Sequence, residues 1–443
     1  MAGIDYGAIP ESLAVTAVEP GDRDYPRYTA SFLRGGAPAL VLRPKNPAQV
    51  QDAVRFAASQ RDVPLGILSA GHGISGRSLN YGGLVIDVSA LDHVTPRGGR
   101  RVDIGPGARW IDVARILTPL GLAITSGDYG GVGVGGLATA GGIGWFAREH
   151  GLTIDHLRSV DVVTADGELL HASEDDNPDL FWAMRGAGAN FGVAVDFEFE
   201  AVPVGDVAFA QLTFAVTDVA EFLENWGTAL EASDRTVTAT VLLGATRRGR
   251  ANYAQATVVV DSGDSDVVLE RLQPILRTAP LAQRSVAMTS YEEVMGAYLQ
   301  EGRQQGVGEP LSHSAFARHL DPELSSELAA MLESGASHFF TIRSVGGAIS
   351  DVPSLATAYG WRGANFALVA LGSPDSGLDA WWARLSPSFE GMYLSFESDT
   401  GPENLAVAFP PAHLTRLRGL KRTYDPSGLF RDNFFIDPDV DTE

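Results

Sequence analysis

The sequence contains no cysteine among its 443 residues. This absence excludes disulfide bonds, cysteine nucleophiles, and the zinc or iron–sulfur sites that depend on thiolate ligands. The nine histidines form no HExxH motif and no ligand-like pair four residues apart on a clear helix. We therefore expect no metal site in this chain.

Basic residues are also scarce, because 33 lysines and arginines face 55 acidic residues, for a formal net charge of −22. Such a charge repels nucleic-acid phosphates and anionic membrane surfaces, so we expect neither as a partner. No apolar run approaches the ~20 residues of a membrane-spanning helix. The opening stretch MAGIDYGAIPESLAV also lacks a signal-peptide pattern. The composition therefore predicts a soluble, cytoplasmic protein of two or three domains.

The pattern of apolar residues changes near residue 205. Before it, short β-branched runs alternate with helical periods, and glycines gather where the predicted strands end. After it, VAFAQLTFAV, RTVTATVLLGAT and ANYAQATVVVDS alternate as antiparallel strands do when one face is covered, and helices are predicted near 217–232 and 321–333. We therefore predict an α+β fold with parts at 1–205, 206–399 and 400–443.

Two glycine-rich stretches stand out in the first part. SAGHGISGRS, residues 69–78, has Arg77 where a nucleotide-binding GxxxxGK[ST] loop requires lysine. The second stretch, residues 126–152, holds eight glycines between Gly130 and Gly144. Glycines serve tight corners or let bare amides approach an anion or a flat cofactor, and two such loops favour the cofactor. GVGVGG does not directly follow a buried strand, which argues against a dinucleotide-binding βαβ unit.

Four segments together resemble a known family. SAGHGISG, VGVGGLATAGGIGWFAREHGLTIDHLRSVDVVTADGELL, NPDLFWAMRGAGANFGVAVDFEFE and YDPSGLFRDNFFI follow one another as in the berberine bridge enzyme branch of the vanillyl-alcohol oxidase superfamily. Bacterial 6-hydroxy-D-nicotine oxidase-like flavoproteins are the most similar group within it. The resemblance implies a two-part PCMH-type FAD-binding domain with an inserted antiparallel-sheet substrate domain backed by helices.

The resemblance also implies how FAD is held. In this family the histidine of the first loop is bonded to the flavin 8α-methyl group, and His72 matches it. A second link, from a cysteine, is common in the family, but the matching residue here is Tyr129, so we expect a single link. The residues that match the diphosphate site are Ser69, Ala70, Gly71 and Gly73, and Ile74 and Ser75 of the same loop are also expected to bind the cofactor. The residues that match the ribityl and ring region are Gly135, Gly136, Thr139, Gly141, Gly142 and Gly144. Val193 matches a position at the adenine, and Asn433 matches one near the isoalloxazine.

The expected reaction is hydride removal from a carbon bearing oxygen or nitrogen, with O2 reoxidising the flavin. Val132, a small residue at the flavin edge, favours oxygen access. Sugar oxidases of the family carry a tyrosine base where this chain has Phe396. Reading YLSFESD as a strand places Tyr393 and Glu397 on one face and Phe396 on the other. Because an amine needs no such base, we expect C–N oxidation or a non-sugar alcohol.

Other assignments stay open at this point. Arg343 is either a pocket residue or a surface arginine on a strand, and Tyr129 either donates a hydrogen bond or fills the space of the missing cysteine. Glu397 is a base or, as we favour, a solvated carboxylate. A dehydrogenase or oxidative cyclase using another electron acceptor, and a non-catalytic flavin- or ligand-binding protein, are alternative functions. A homodimer is compatible with the sequence.

Overall fold

The computed structural model describes residues 3–60, 62–247, 250, 252–299 and 309–439. Within them the strands are β1 Leu40–Leu42, β2 Leu65–Leu68, β3 Leu84–Asp87, β4 Val94–Gly98, β5 Arg101–Ile104, β6 Leu122–Ala123, β7 Leu157–Val163, β8 Leu169–Ser173, β9 Val193–Glu200, β10 Val202–Pro203, β11 Val207–Val216, β12 Val237–Leu243, β13 Asn252–Val260, β14 Leu281–Thr289, β15 Leu311–Ala317, β16 Phe339–Ser344 and β17 Phe366–Gly372.

The α-helices of the same residues are α1 Glu11–Ala14, α2 Pro47–Ser59, α3 Trp110–Leu117, α4 Val134–Ala140, α5 Ala147–His150, α6 Pro178–Ala187, α7 Val219–Glu231, α8 Ser265–Leu276, α9 Tyr291–Gly296, α10 Pro322–Ser334, α11 Ala348–Asp351, α12 Leu378–Leu385, α13 Glu403–Ala408 and α14 Pro411–Tyr424. None of these helices is both long and apolar enough to span a bilayer. The Asn46 side chain caps α2 by accepting from the Gln49 amide, and Pro47 supplies a favourable first helical residue.

A small parallel sheet carries the first glycine loop. Its order is β1-β3-β2, and α2 packs its buried Val50, Val54 and Ala57 into the same core. Residue 68 ends β2, so the loop that begins at Ser69 leaves from the end of a buried strand. A parallel sheet with a covering helix therefore fixes the start of this loop.

A five-stranded antiparallel sheet, ordered β4-β5-β9-β7-β8, forms the next layer. Its core includes residues of α3, α4 and α6, together with Leu414 and Leu417 of α14. The carboxy-terminal helix therefore shares a core with the first half of the chain. The division at residues 205 and 399 stays a prediction.

A seven-stranded antiparallel sheet follows, in the order β14-β11-β13-β12-β16-β17-β15. Along β11, Ala210, Leu212 and Phe214 are buried with α7, α8 and α10, whereas Gln211 and Thr213 face the opposite side. Alternation at period two produces this two-sided strand. The expected α+β fold with an antiparallel sheet backed by helices is confirmed.

Candidate active site

One cavity of about 710 Å³ joins the glycine loops to the seven-stranded sheet. Its wall includes loop 69–75, residues from 127–139 and 186–194, and the segment 430–434 near the end of the chain. The sheet contributes side chains from β16 and β17, and residues 393–396 complete the wall. Segments far apart in sequence therefore meet around a single space.

Loop 69–75 is held in shape by its neighbours. The Ser69 hydroxyl donates to the Pro106 carbonyl at 2.7 Å, so this hydroxyl is already engaged by the protein. Gly71 has φ +71°, a conformation that favours glycine, and its carbonyl accepts from the Phe32 amide. Ser75 donates to the Asn433 side chain at 3.2 Å, which ties this loop to the carboxy-terminal segment.

His72 lies between two aromatic rings in the cavity wall. Its ring centroid is 4.9 Å from that of Phe32 and 5.4 Å from that of Tyr129. Burial, reinforced by the nearby positive charge of Arg109, lowers the pKa of His72 to about 4. The imidazole is therefore neutral near pH 7, which is the form that acts as a nucleophile.

The second glycine stretch divides into two groups. Gly136 faces open space, since a Cβ built there would meet no atom within 4 Å. Gly144 is different, because a Cβ there would stand 1.5 Å from the Ser126 carbonyl oxygen. Gly141 and Gly142 have φ of +143° and +86° and press against Tyr359 and Thr153. Close packing and backbone conformation therefore account for the last three glycines.

The cavity wall contains most of the residues that the sequence nominated. Those found in it are Ser69, Ala70, Gly71, His72, Gly73, Ile74, Ser75, Tyr129, Gly135, Gly136, Thr139, Val193, Arg343, Tyr393, Phe396 and Asn433. The nominated residues outside the wall are Gly141, Gly142, Gly144 and Glu397. Thr139 turns its hydroxyl back to the Gly135 carbonyl at 2.8 Å, as helical threonines commonly do.

The segment YLSFESD is not the strand that the alternation predicts. Residues Leu394–Phe396 form a 3₁₀ turn, and every residue from 393 to 396 lines the cavity. Tyr393 accepts a hydrogen bond from the Gly142 amide at 2.9 Å, and burial raises the pKa of this phenol. Tyr393 is therefore a neutral phenol rather than a phenolate base.

Glu397 lies outside the cavity and is buried, with 2% of its surface exposed, so the expectation of a solvated carboxylate is wrong. It accepts from the Ser314 amide at 3.1 Å and lies 3.2 Å from Nδ1 of His313. His313 also contacts Asp379, at 2.7 Å. Glu397 therefore fixes the turn that carries Phe396 onto the sheet edge.

Arg343 lies in the cavity with its guanidinium held from three directions. Nε donates to Asp128 at 2.7 Å, and Nη1 donates to the Thr341 hydroxyl at 3.0 Å. The Phe396 ring lies against the guanidinium carbon at 4.5 Å. Asp128 and Thr341 were not among the residues nominated from the sequence, although an acid beside a glycine run, as in SGDYGG, is a signal that could have drawn attention to Asp128.

A second group of titratable side chains lies apart from the cavity wall. Glu149, His150 and Asp261 each place one oxygen or nitrogen within 4.8 Å of the others. Burial, reinforced by the Asp261 charge, raises the pKa of Glu149 to about 7. The Glu149 carboxyl therefore gains or loses its proton near neutral pH. The expectation that the chain holds no metal stays a prediction.

The cavity has the features that an FAD molecule needs. Its wall offers bare backbone at Gly73 and Gly136, where an added Cβ would meet nothing within 4 Å. A flat ring and a diphosphate both require such close approach to peptide groups. The neutral imidazole of His72 stands in the same wall. The residues present therefore fit the cofactor that the sequence implies.

Comparisons with known proteins agree with this geometry. The FAD binding domain profile matches residues 38–173. (R)-6-Hydroxynicotine oxidase of Paenarthrobacter nicotinovorans is 28% identical over 91% of this chain and 92% of its own. An FAD-linked oxidoreductase of Pyricularia oryzae is 30% identical over 88% of this chain and 82% of its own. Xylooligosaccharide oxidase from Myceliophthora thermophila C1, solved with xylobiose, has a TM-score of 0.85 and 25% identity, covering 98% of this chain and all of that one.

Fold, cavity and relatives together define an FAD-binding oxidoreductase. More narrowly, the chain belongs to the FAD-linked oxidoreductases, the family of its 30% identical relative, and it is similar over most of its length to (R)-6-hydroxynicotine oxidase.

Proposed function

We propose that this protein is an oxidase that removes a hydride from a small amine or alcohol and reduces O2 to H2O2. The observation that carries the proposal is the shared cavity: His72 and the glycine loops form one side, and the sheet side chains form the other. A substrate between them would face the flavin. Two of the proteins that this chain resembles are themselves named as oxidases.

FAD, when bound, supplies the acceptor for a hydride and returns two electrons to oxygen. The bare backbone of Gly73 and Gly136 would let its diphosphate and ring approach the protein closely. His72 would hold it by one covalent bond, because its imidazole is neutral and the chain has no cysteine for a second bond. A single bond, through His72, would then attach the flavin to the chain, whereas many family members use two.

The side chains around the substrate space favour an amine. Phe396 has no proton to exchange, and Tyr393 is a neutral phenol bonded to the Gly142 amide. Asp128 is engaged by Arg343.

The substrate carbon loses a hydride while its nitrogen or oxygen loses a proton to water, and O2 gains two electrons and two protons. A neutral amine supports hydride loss through its own lone pair, without a strong base.

The test begins with the absorbance spectrum of the purified protein before and after acid precipitation. We expect a yellow pellet, because a covalent adduct stays with the chain. The protein is then mixed anaerobically with a panel of amines and alcohols, and we expect an amine to bleach the flavin band. Readmitting air should restore the band and produce H2O2, measured with a peroxidase assay.

Two outcomes would contradict the proposal. Slow reoxidation in air, with fast reoxidation by an artificial acceptor, would indicate a dehydrogenase or oxidative cyclase. A flavin band that no member of the panel bleaches would favour a protein that binds flavin without catalysis.

A further inference from the structure

The guanidinium of Arg343 has one nitrogen that no residue in the described part of the chain engages. Nε and Nη1 are bonded to Asp128 and Thr341, and the Phe396 ring covers one face. Among the described residues, Nη2 has no hydrogen-bond partner. The side chain is only 14% exposed and lines the cavity. Because the guanidinium is held in place, Nη2 can donate a hydrogen bond to an oxygen of a bound molecule.

The charge at this donor is already balanced. Asp128 lies 2.7 Å from Nε, so the pair as a whole is neutral. A carboxylate that approached Nη2 would also approach the Asp128 carboxylate, and like charges at this range repel. A carbonyl or hydroxyl oxygen would accept the same hydrogen bond without that repulsion. The pair therefore discriminates against anions.

Apolar side chains make up much of the wall. Val369 and Leu371 of β17, which pair with Thr341 and Phe339 along the sheet, line the cavity, as do Leu394 and Phe396 of the turn. Sugar hydroxyls placed against such side chains would lose their hydrogen bonds to water without replacement, which is costly. An apolar ring or chain would bury favourably in the same place.

Tyr298 and two polar side chains of the sheet are engaged with each other. Gln211 donates to the Tyr298 hydroxyl at 2.9 Å, and Thr257 shares a hydrogen bond with the same hydroxyl at 3.0 Å. Tyr298 lines the cavity. Part of the hydrogen-bonding capacity of these three side chains is therefore already used within the protein.

We propose that the cavity binds a neutral, mostly apolar cyclic molecule whose carbonyl or hydroxyl oxygen accepts from Nη2 of Arg343. The inference rests on the proposed function, since it names the substrate class of the same cavity. It assigns Arg343 as the residue that anchors the substrate and Asp128 as the residue that excludes anions. Oligosaccharides and carboxylates are the excluded classes.

Isothermal titration calorimetry, which measures the binding of three probes to the purified flavoprotein, tests this assignment. The probes are 1-indanone, a neutral bicyclic ketone, indane-1-carboxylate, an anion of similar shape, and xylobiose. We expect 1-indanone to bind more tightly than the carboxylate by on the order of tenfold, and xylobiose to give no heat of binding. Equal affinity for ketone and carboxylate, tighter binding of xylobiose, or no binding of 1-indanone would overturn the assignment.

Two variants separate the roles of the pair. Arg343→Met should weaken 1-indanone binding on the order of tenfold, because it removes the donor and keeps the length of the side chain. Asp128→Asn should reverse the preference, so that the carboxylate binds more tightly than the ketone. Arg384→Met is the matched control, because Arg384 pairs with Glu327 on the helical side of the sheet and is 60% exposed. An unchanged ketone affinity in Arg343→Met would overturn the inference.

The colour of the protein keeps this inference distinct from the proposed function. A colourless protein without a flavin adduct would refute the proposed function, whatever the calorimeter shows. A yellow protein that fails the probe comparison would refute the substrate class alone. Circular dichroism of each variant establishes that its fold is intact before its affinity is compared.

Discussion

At the scale of single residues, the proposed covalent attachment of FAD depends on His72. We expect His72→Ala to release all of its flavin into the supernatant on acid precipitation, because no other nucleophile is assigned to the 8α-methyl group. Intact-mass spectrometry measures the loss of the adduct. His338→Ala is the control, since His338 lines the same cavity on its sheet side. Retention of the adduct in His72→Ala would show that another residue carries the bond.

Glu149 makes the stability of the protein depend on pH. Burial, reinforced by the Asp261 charge, raises its pKa from 4.5 to about 7, so the folded state binds this proton more tightly than the unfolded chain does. The resulting stabilisation is complete below pH 4.5 and is lost as the pH rises to 7. We therefore expect Glu149→Gln to raise the free energy of unfolding at pH 8 and to change it much less at pH 5.

Urea denaturation at the two pH values measures this difference. Asp266→Asn is a suitable control, because Asp266 is an exposed acidic residue in the first turn of α8. An equal loss of stability in Glu149→Gln at both pH values would mean that the charged form is the one that the fold favours.

At the scale of structural elements, the sequence predicted best what depends on neighbouring residues. The glycines of loop 69–75 and the alternation of β11 are local patterns, and both led to the correct element. The turn Leu394–Phe396 was missed because a short alternating run fits a strand equally well. The Asp128–Arg343 pair depends on how the glycine loop meets β16, which no local pattern encodes.

The second glycine stretch illustrates the same limit and gives a prediction. Gly144→Ala should lower the free energy of unfolding on the order of 3 kcal/mol, because its Cβ would stand 1.5 Å from the Ser126 carbonyl oxygen. Gly136→Ala, in the interior of α4, should keep or slightly raise the stability, because alanine favours a helix. Thermal denaturation of the two variants measures the contrast.

The Gly136→Ala variant has a second expected effect. The space beside Gly136 faces the cavity, so the added methyl group should reduce the flavin content measured by absorbance. If Gly144→Ala and Gly136→Ala proved equally stable, the backbone around Gly144 would be able to shift and accommodate the added Cβ.

At the scale of the whole molecule, one buried ion pair joins the end of the chain to its first half. Lys421 donates to Asp425, to the Asn190 carbonyl at 2.7 Å and to the Phe430 carbonyl at 2.9 Å. Both side chains of the pair have 0% exposure, and burial lowers the pKa of Lys421. The amine therefore satisfies backbone carbonyls that would otherwise lie buried without a donor.

Lys421→Met should reduce the free energy of unfolding by about 3–5 kcal/mol, because it leaves the Asp425 charge buried without its partner. Lys45→Met changes an exposed lysine and should leave stability nearly unchanged. Urea denaturation compares the two. A small effect of Lys421→Met would show that the buried pair contributes little to the stability of the fold.

The amino-acid composition indicated an ordinary globular protein, whereas the glycine-rich motifs pointed to FAD as its cofactor. The missing cysteines excluded thiolate chemistry, and the acidic excess argued against nucleic-acid and membrane partners, whose absence stays a prediction. The joining of segments 69–75, 339–343 and 430–434 around one cavity required the tertiary structure. The cytoplasmic location and the oligomeric state stay predictions.

The wall formed by residues 430–434 has a consequence for biosynthesis. Asn190 donates to the Phe434 carbonyl and accepts from the Ile436 amide, so this part of the cavity closes only when the late segment docks. A ribosome exposes loop 69–75 long before it exposes these residues. The cavity wall is therefore complete only once residues 430–436 have been synthesised and have docked, so full enclosure of the FAD has to follow their synthesis.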